Sequence, residues 1–382
     1  DMAEFFQAFA PLFDGLFKLW IDVLRRLARA MGKGLEDGPL GTHLAILLTF
    51  IGSLALLSLE VHRWPELNLS FEPHSMVMLA LVPVLAVAVI AAARARRTIE
   101  ILVSLGFVGL LVALLFLWFS APDLALTQLL AETLLLFLLA AALARINRSP
   151  DGARPLPGRL LLAGLGGFLV GALILKAMIL DWDHPISLGH LTRSVPEAYG
   201  ANVVNVILVD FRALDTLGEI LVLGIAALGA TAALGAARPR LVLPGSSASP
   251  WLQTGGRLLG GILAPVALWI FWRGHNAPGG GFIAALVAGA GVGFGLLTAL
   301  PGLRPTLLRR AAHRLILGGL FTALAAALLP LLASEVLFTG LWWHSGSLHL
   351  GTPLLFDLGV ALTVLGFTLA FLRHFYPQPK HT

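Results

Sequence analysis

Runs of about twenty apolar residues, separated by short polar stretches, dominate the chain from residue 40 onward. Each run is long enough to cross the roughly 30 Å hydrocarbon core of a bilayer as an α-helix, which satisfies its own backbone polar groups in lipid. The pattern predicts an all-α integral membrane protein with about ten transmembrane helices. The predicted spans are 42–59, 76–93, 99–119, 124–144, 160–180, 202–236, 256–272, 280–299, 313–332 and 354–373.

The first forty residues differ, because apolar and charged positions alternate there with helical spacing. Phe5 and Phe9 fall on one face and Asp14 on the opposite one. This pattern predicts an amphipathic linker helix over 1–40, lying on the membrane surface or on a partner helix. It lacks the basic start and compact apolar core of a signal peptide, and its first residue, Asp1, indicates a piece cut from a longer polypeptide.

A loop rich in Pro, Gly and Ser, RPRLVLPGSSASP at 238–250, separates the sixth predicted span from the seventh. We therefore expect two membrane modules after the linker helix. The first is a six-span module over 41–245, and the second is a four-span module over 246–382.

The composition supports a membrane protein, with 58% hydrophobic residues, 12% charged residues and a mean hydropathy of +0.88. Cysteine is absent, which excludes disulfides and iron–sulfur clusters held by this chain. The net charge of +5 comes largely from Arg residues in short loops between spans, where Arg sets membrane orientation and does not indicate nucleic-acid binding. All of the Arg-bearing loops fall on the cytoplasmic side only if the sixth predicted span crosses the membrane once. Both chain ends are then predicted to be cytoplasmic.

One candidate site lies in SAPDLALTQLLAET, residues 120–133, where a carboxyl falls deep inside a predicted span. Glu132 is about 13 Å along the helix from Asp123, near the bilayer centre, and Gln128 and Thr127 lie close to it. A carboxyl at that depth suits a proton relay, although a hydrogen-bonded link between helices is the alternative. Asp123, at the helix start, is expected mainly as a cap.

A second polar cluster occupies NVVNVILVDFRALDTLGEI, residues 202–220. If the run is helical, Asn202, Asn205, Arg212, Asp215 and Glu219 share one broad stripe and Asp210 points elsewhere. Such a stripe cannot face lipid, so it lines a protein interface or a wet ion path, and a buried ion-pair staple explains it equally well. The length of the run indicates a surface-parallel start that turns into the membrane near Asp215.

Two further ionisable residues lie in predicted spans. Lys176 is near a span end, where a Lys usually extends its ammonium group to the membrane surface, so it is a weak candidate for the ion path. Asp357 follows Pro353 early in the last span. It is an ion ligand or, as we prefer, a partner for a neighbouring helix.

The segment GHNAPGGGFIAALVAG, residues 274–289, joins a polar elbow directly to an apolar span. His275 has no second metal ligand at useful spacing, so a metal site is not expected. Pro278, Gly279 and Gly280 predict a tight turn in which backbones approach closely. We expect this turn to dock against another subunit.

These motifs carry a family resemblance. SAPDLALTQLLAET and NVVNVILVDFRALDTLGEI resemble the C-terminal part of the large A subunit of Mrp-type multisubunit cation/proton antiporters. GHNAPGGGFIAALVAG and the later GTPLLFDLGVALTV resemble the B subunit, so the chain is similar to members in which A and B are fused. Ala213, Leu214 and Ala131 replace residues more usual in the family, which leaves every polar role in place.

The resemblance implies a subunit of a prokaryotic cell-membrane complex that exchanges Na⁺ or K⁺ for H⁺ alongside several other membrane subunits, without a cofactor. In this resemblance, the acidic residue of the family's SAPD helix corresponds to Glu132. The family's Asp-Phe-Arg element corresponds to residues 210–212, and its Gly-Glu element to residues 218–219. The long antiporter-like unit with which an A subunit begins is missing, so this chain supplies part of an ion path.

Three hypotheses follow. In the leading one, Glu132 and Glu219 change protonation as the cation passes, Arg212 keeps the second site charged, and Thr127 and Gln128 help to bind the cation. In the second, the same path belongs to a redox-driven complex such as a membrane-bound hydrogenase. In the third, the chain is a structural scaffold. No arrangement of nucleophile, base and oxyanion donors supports an enzyme.

Overall fold

The computed structural model describes the parts of the chain that contain the candidate sites. The described residues are 18, 19, 21–23, 25, 26, 46–54, 73–95, 97–143, 164–172, 186–237, 250–297, 305–346 and 348–373. Lys176 and most of the predicted amphipathic helix over 1–40 lie outside them.

Helices make up almost all of the described residues. In chain order they are α1 Pro73–Arg94, α2 Thr98–Trp118, α3 Pro122–Leu143, α4 Ile186–Ala198, α5 Val203–Val206, a π-helix Ile207–Phe211, α6 Ala213–Ala237, α7 Pro250–Arg273, α8 Gly281–Leu297, α9 Pro305–Leu328, a 3₁₀-helix Leu329–Ala333 and α10 Thr352–Leu372. Residues 46–54 and 164–172 are also helical.

The predicted all-α membrane class is confirmed. Five helices in the described part of the chain are long and apolar enough to span a bilayer. Two shorter apolar stretches are Ala80–Arg94, within α1, and Gly281–Leu296, which is nearly all of α8. The helices α1, α2, α3, α8 and α10 match their predicted spans to within about three residues. The helix α7 ends where predicted but begins at Pro250, earlier than the predicted span 256–272. The total of about ten spans stays a prediction.

The chain forms two compact units. The first comprises 1–70 and 153–183, and in it Gly52 faces Leu169. The second comprises 71–152 and 184–382 and holds all of the candidate site residues that the structure describes. The two-module division at residue 245 stays a prediction.

Within the second unit, α10 is the central helix, packed against α6, α8 and α9. Small residues let α9 and α10 approach closely, since a methyl group added at Gly359 would lie 2.6 Å from the backbone nitrogen of Ala323. Ile220 of α6 and Val360 of α10 are almost fully buried in the shared core. The helix α8 also packs on α3, which brings the two predicted modules into contact.

Two features differ from the sequence prediction. A short antiparallel hairpin, β1 Trp342–Ser345 with β2 Leu348–Gly351, pairs Trp342 with Gly351 just before α10. The predicted sixth span is a broken helix, interrupted by the π-helix and by Arg212, whose backbone has φ −133° and ψ 35°. A π-helix adds a residue to a turn, so side chains after it point to a different face from those before it.

Candidate functional site

The turn between α7 and α8, residues 274–280, is closely packed on itself and on the end of α7. Gly280 has φ +100°, a conformation that favours glycine, and a methyl group at Gly279 would lie 2.5 Å from the carbonyl oxygen of Ile270. Arg273 donates from Nε to the carbonyl of Pro278 at 2.8 Å. The glycines therefore allow a close backbone approach, as the sequence predicts.

Residues of the same chain hold this turn. The backbone N–H of Gly279 donates to Asp123 Oδ1 at 2.8 Å. The amide nitrogen of Asn202 lies 2.9 Å from the carbonyl of Gly274, 3.1 Å from that of Ala277 and 3.3 Å from Asp123 Oδ1. These contacts lie within the chain, with α3 and the start of α5. Sequence spacing could not predict these contacts, because the residues that they join are far apart along the chain. Docking of the turn against another subunit stays a prediction.

Asp123 thus has a role that the sequence did not indicate. It stands in the first turn of α3, where a cap was expected, yet its carboxylate accepts bonds from the 274–280 turn and from Asn202. Thr127 donates its hydroxyl to the carbonyl of Asp123 at 2.8 Å, within its own helix. Both residues therefore fix local structure at this end of α3.

A buried carboxyl lies beneath the turn. Asp357 of α10 is 5% exposed, and both of its carboxylate oxygens lie 2.9 Å from the backbone nitrogen of Gly281. The side-chain amide of Asn205 lies nearby, since a methyl group at Gly280 would lie 2.6 Å from Asn205 Nδ2 and 3.5 Å from Asp357 Oδ2. The preferred structural interpretation of Asp357 agrees with its contact to α8, and its role in ion binding stays a prediction.

His275 joins this group from the turn. Its Nε2 lies 2.6 Å from the carbonyl oxygen of Ala198, and its Nδ1 lies 3.3 Å from Asn205 Oδ1. Burial lowers the pKa of His275, and the hydrogen bond to Ala198 opposes that shift only in part. The imidazole is therefore held between α4 and α5.

An aromatic cavity of about 430 Å³ lies beside His275. We use this name for the space lined by Tyr199, Trp272, His275, Asn276, Trp342 and His349, together with two leucines. Tyr199 stacks on His349 with ring centres 5.0 Å apart, and Trp342 lies 5.1 Å from the His275 ring. The sequence analysis missed Tyr199 and His349, and the alternation of the hairpin strands was the signal that could have brought Trp342 and His349 together.

The polar stripe predicted for 202–220 divides into two groups. Asn202, Asn205 and Asp210 are buried, with exposed fractions of 8%, 6% and 9%. Arg212 and Asp215 are exposed on this chain, as is Glu219. The single-stripe prediction, with Asp210 pointing away, is therefore wrong, because the π-helix rotates the residues after it relative to those before it.

Asp210 lies in the π-helix and is enclosed by the segment that leads into the hairpin. A methyl group added at Gly340 would lie 2.7 Å from Asp210 Oδ2 and 2.9 Å from Oδ1. Glycine at position 340 therefore lets the backbone of that segment lie directly against the carboxylate.

Arg212 and Asp215 form an ion pair with Nη2 and Oδ2 2.5 Å apart, as one helical turn of spacing predicts. Glu219, one turn further along α6, is not in any of the ion pairs found among the described residues. Asp215 thus has a basic partner, whereas Glu219 has none among the residues that the structure describes.

Glu132 occupies a separate position on α3. Gln128 donates from Nε2 to Glu132 Oε2 at 3.4 Å. The facing residue of α2 is Gly109, where a methyl group would lie 2.6 Å from Cδ and 2.7 Å from Oε2 of Glu132. No hydrogen bond or ion pair within the described part of the chain joins Glu132 to Glu219, so a shared path stays a prediction.

Comparisons with known protein families match three parts of the chain. A domain related to the MnhB subunit of the Na⁺/H⁺ antiporter covers residues 251–370. Families described as the MbhE and MbhD subunits of MBH match residues 158–244 and 83–148.

Individual relatives agree with these matches. A probable K⁺/H⁺ antiporter A/B subunit of Rhizobium meliloti (strain 1021) is 35% identical over 317 residues, which cover 71% of this chain and 31% of the relative. The Na⁺/H⁺ antiporter A subunit of Alkalihalophilus pseudofirmus is 44% identical over 143 residues, covering 36% of this chain and 18% of that protein. The chain therefore spans a third or less of the length of these relatives.

Among solved structures, a chain of the Mrp complex from Dietzia sp. DQ12-45-1b has the same fold. The two superpose with a TM-score of 0.74 at 29% identity, over 95% of this chain and 42% of that one. The chain therefore belongs to the Mrp-type antiporter subunits, in which it corresponds to the C-terminal part of an A subunit fused to a B subunit.

Proposed function

We propose that this chain is a subunit of a multisubunit secondary antiporter that moves Na⁺ or K⁺ out of a prokaryotic cell and H⁺ in. It contributes part of the ion and proton path and also holds neighbouring membrane subunits. In this proposal both chain ends are cytoplasmic.

The observation that carries this proposal concerns three carboxyls in or beside apolar helices. Glu132, Asp210 and Asp357 take part in none of the ion pairs found among the described residues. An isolated carboxylate is costly in such surroundings, so the group gains from binding a proton or a cation.

The exposed face of α6 supplies the second part of the argument. Arg212 and Asp215 neutralise each other, whereas Glu219 has Val222 and other exposed apolar residues on its flank. Charged groups at membrane depth do not face lipid, so another membrane subunit covers this face in the assembled complex. Glu219 then lies at the boundary between subunits, where a proton or cation can pass.

The experiment uses inverted membrane vesicles that contain the complete complex. We expect addition of Na⁺ or K⁺ to collapse a preformed pH gradient in the wild type. We expect Glu219→Gln and Glu132→Gln each to abolish this response at matched assembly, because Gln cannot carry the proton. Glu335→Gln, an exposed carboxyl outside the proposed path, is the control and retains exchange.

The scaffold function is the second candidate, favoured by the hydrogen bonds that tie Asp123 and Asn202 to the 274–280 turn. It predicts full exchange in both Gln variants once the complex assembles. The matches to two MBH subunits make a redox-driven pump the third candidate. That function requires cysteine-rich partner subunits, which mass spectrometry of the purified complex would detect.

A further inference from the structure

The rings of the aromatic cavity hold one another in place. Tyr199 stacks on His349 with an interplanar angle of 12°, and it meets Trp342 edge-on with ring centres 5.4 Å apart. A methyl group at Gly351 would lie 2.7 Å from Cε3 of Trp342, so the indole lies against the backbone of the neighbouring strand. His275, which also contacts Trp342, is fixed by a backbone carbonyl 2.6 Å from its Nε2. A molecule that enters the cavity therefore meets rings that are already in position.

The backbone of Tyr199 is strained. Its φ is +53°, in the left-handed region that few residues other than glycine and asparagine adopt. Its N–H donates to the carbonyl of Val195 at 3.1 Å, so Tyr199 occupies the position after α4 at which many helices have a glycine. Strained residues of this kind are concentrated at binding sites. A tyrosine at this position therefore indicates a use for its ring other than ending α4.

The cavity has the size of a small-molecule site. Its volume of about 430 Å³ lies within the range of about 300–1,000 Å³ that is usual for ligand pockets. Trp272 lines the cavity and is 59% exposed, so the cavity opens at the surface of this chain. Most of its described lining is aromatic.

The charges around the cavity favour a positively charged ligand. Lys and Arg are absent from the described residues that line it. Arg273 lies over the ring of Trp269, and its Nε donates to a carbonyl of the 274–280 turn. Burial lowers the pKa of His275, which keeps its imidazole uncharged near neutral pH. The carboxyl of Asp210 lies against Gly340, just before the hairpin, and attracts cations to this region when it is ionised.

The same lining favours an organic cation over a metal ion. Hard metal cations bind through several oxygen ligands, and no carboxylate is among the described lining residues. The side-chain oxygen of Asn276 already accepts a hydrogen bond from the N–H of Ala201 at 3.3 Å. Aromatic rings attract a cation through the negative face of their π system, and this attraction is well suited to quaternary ammonium groups.

We propose that the aromatic cavity binds a quaternary alkylammonium group, which lies against the rings of Tyr199 and Trp342. Such a group occurs on free organic cations and on the headgroups of choline lipids. The site is separate from Glu132 and Glu219. Binding at this site does not depend on the proposed antiport.

The experiment measures the binding of labelled choline by equilibrium dialysis. It uses the purified complete complex in phosphatidylglycerol nanodiscs at about pH 8, where free imidazoles are uncharged. Unlabelled choline and dimethylbutanol, its isostere with carbon in place of the charged nitrogen, serve as competitors. We expect choline to compete at least about tenfold better, because only the charged molecule gains a cation–π interaction.

Single-ring variants locate the site. We expect Tyr199→Leu and Trp342→Leu each to weaken choline binding about tenfold. Trp343→Leu is the matched control, because Trp343 is the next residue of the strand, is 60% exposed and does not line the cavity. Tyr199→Gly removes the ring but relieves the backbone. It is expected to bind choline as weakly as Tyr199→Leu and to have a higher melting temperature.

Phosphatidylcholine nanodiscs identify the source of the ammonium group. Loss of choline binding in them supports occupation of the cavity by the lipid headgroup, and unchanged binding supports a free organic cation. The proposal is overturned if dimethylbutanol competes as well as choline, if choline binding does not saturate, or if Trp343→Leu weakens it as much as Trp342→Leu. The first two outcomes need only the wild type. Because no transport is measured, these results are independent of the exchange activity of Glu219→Gln.

Discussion

Asp123 and Gly279 are 156 residues apart in sequence, and a hydrogen bond of 2.8 Å joins the Gly279 N–H to the Asp123 carboxylate. This contact links the start of α3 to the turn between α7 and α8. Asn202 binds the same carboxylate from a third element. A single side chain thus connects three segments.

Replacing Asp123 therefore weakens the fold. Asp123→Ala leaves the Gly279 N–H without an acceptor and is expected to cost about 1–3 kcal/mol of stability. Asp123→Asn keeps an acceptor oxygen and costs less. The apparent melting temperature of the purified complex measures both effects, and an equal loss in the two variants would contradict the role of Asp123 as the acceptor for Gly279.

The contact between Gly109 and Glu132 predicts a positional effect. A methyl group at 109 would lie 2.6 Å from Glu132 Cδ, so Gly109→Ala forces the carboxyl to move. We expect cation-induced exchange to fall about tenfold, because small displacements of an acting group have large effects. Gly106→Ala on the same helix meets only the flexible end of Leu136, at 2.8 Å, and is the matched control. Equal activity in the two variants would show that the position of Glu132 does not matter.

Gly340 makes a similar prediction for Asp210. A methyl group at 340 would lie 2.7 Å from Oδ2, so Gly340→Ala displaces the carboxylate and lowers exchange by about tenfold. Gly189 in α4 has open space around it, so Gly189→Ala is expected to be silent. The measurement is the rate of exchange as a function of cation concentration. Wild-type kinetics in Gly340→Ala would remove Asp210 from the proposed path.

The environment of His275 predicts a pH dependence of stability. Burial holds the pKa of His275 below its unfolded value of about 6.5, so the unfolded state binds more protons as the pH falls. The stability of the fold is therefore complete above about pH 6.5 and is lost as the pH falls through the folded-state pKa. We expect the melting temperature to fall less on acidification in His275→Gln than in the wild type. Identical slopes would indicate that other groups cause the acid sensitivity.

The helices could be predicted from the sequence because membrane depth and backbone hydrogen bonding fix their length and composition. The ends of α8 at Gly281 and Leu297, for example, lie close to the predicted span 280–299. The ion pair of Arg212 with Asp215 could also be predicted from the sequence, because the two residues are one helical turn apart.

The arrangement of the candidate site could not be predicted in the same way. A π-helix has no simple sequence pattern, and its presence at 207–211 separated Asp210 from Glu219. The contacts of His275 with Ala198 and of Gly281 with Asp357 join residues about 76 positions apart, which local periodicity cannot reveal. Gly346, which follows the first strand, was a local signal, but the apolar residues around it obscured a pair of four-residue strands.

The 274–280 turn and the groups that hold it belong to one polypeptide. Their association is therefore intramolecular, which removes the cost of bringing separate chains together. The helix packing and hydrogen bonds that join residues before 238 to residues after 249 therefore need less interface than two separate chains would need. Fusion also means that each ribosome makes both halves in equal number, so neither accumulates without the other.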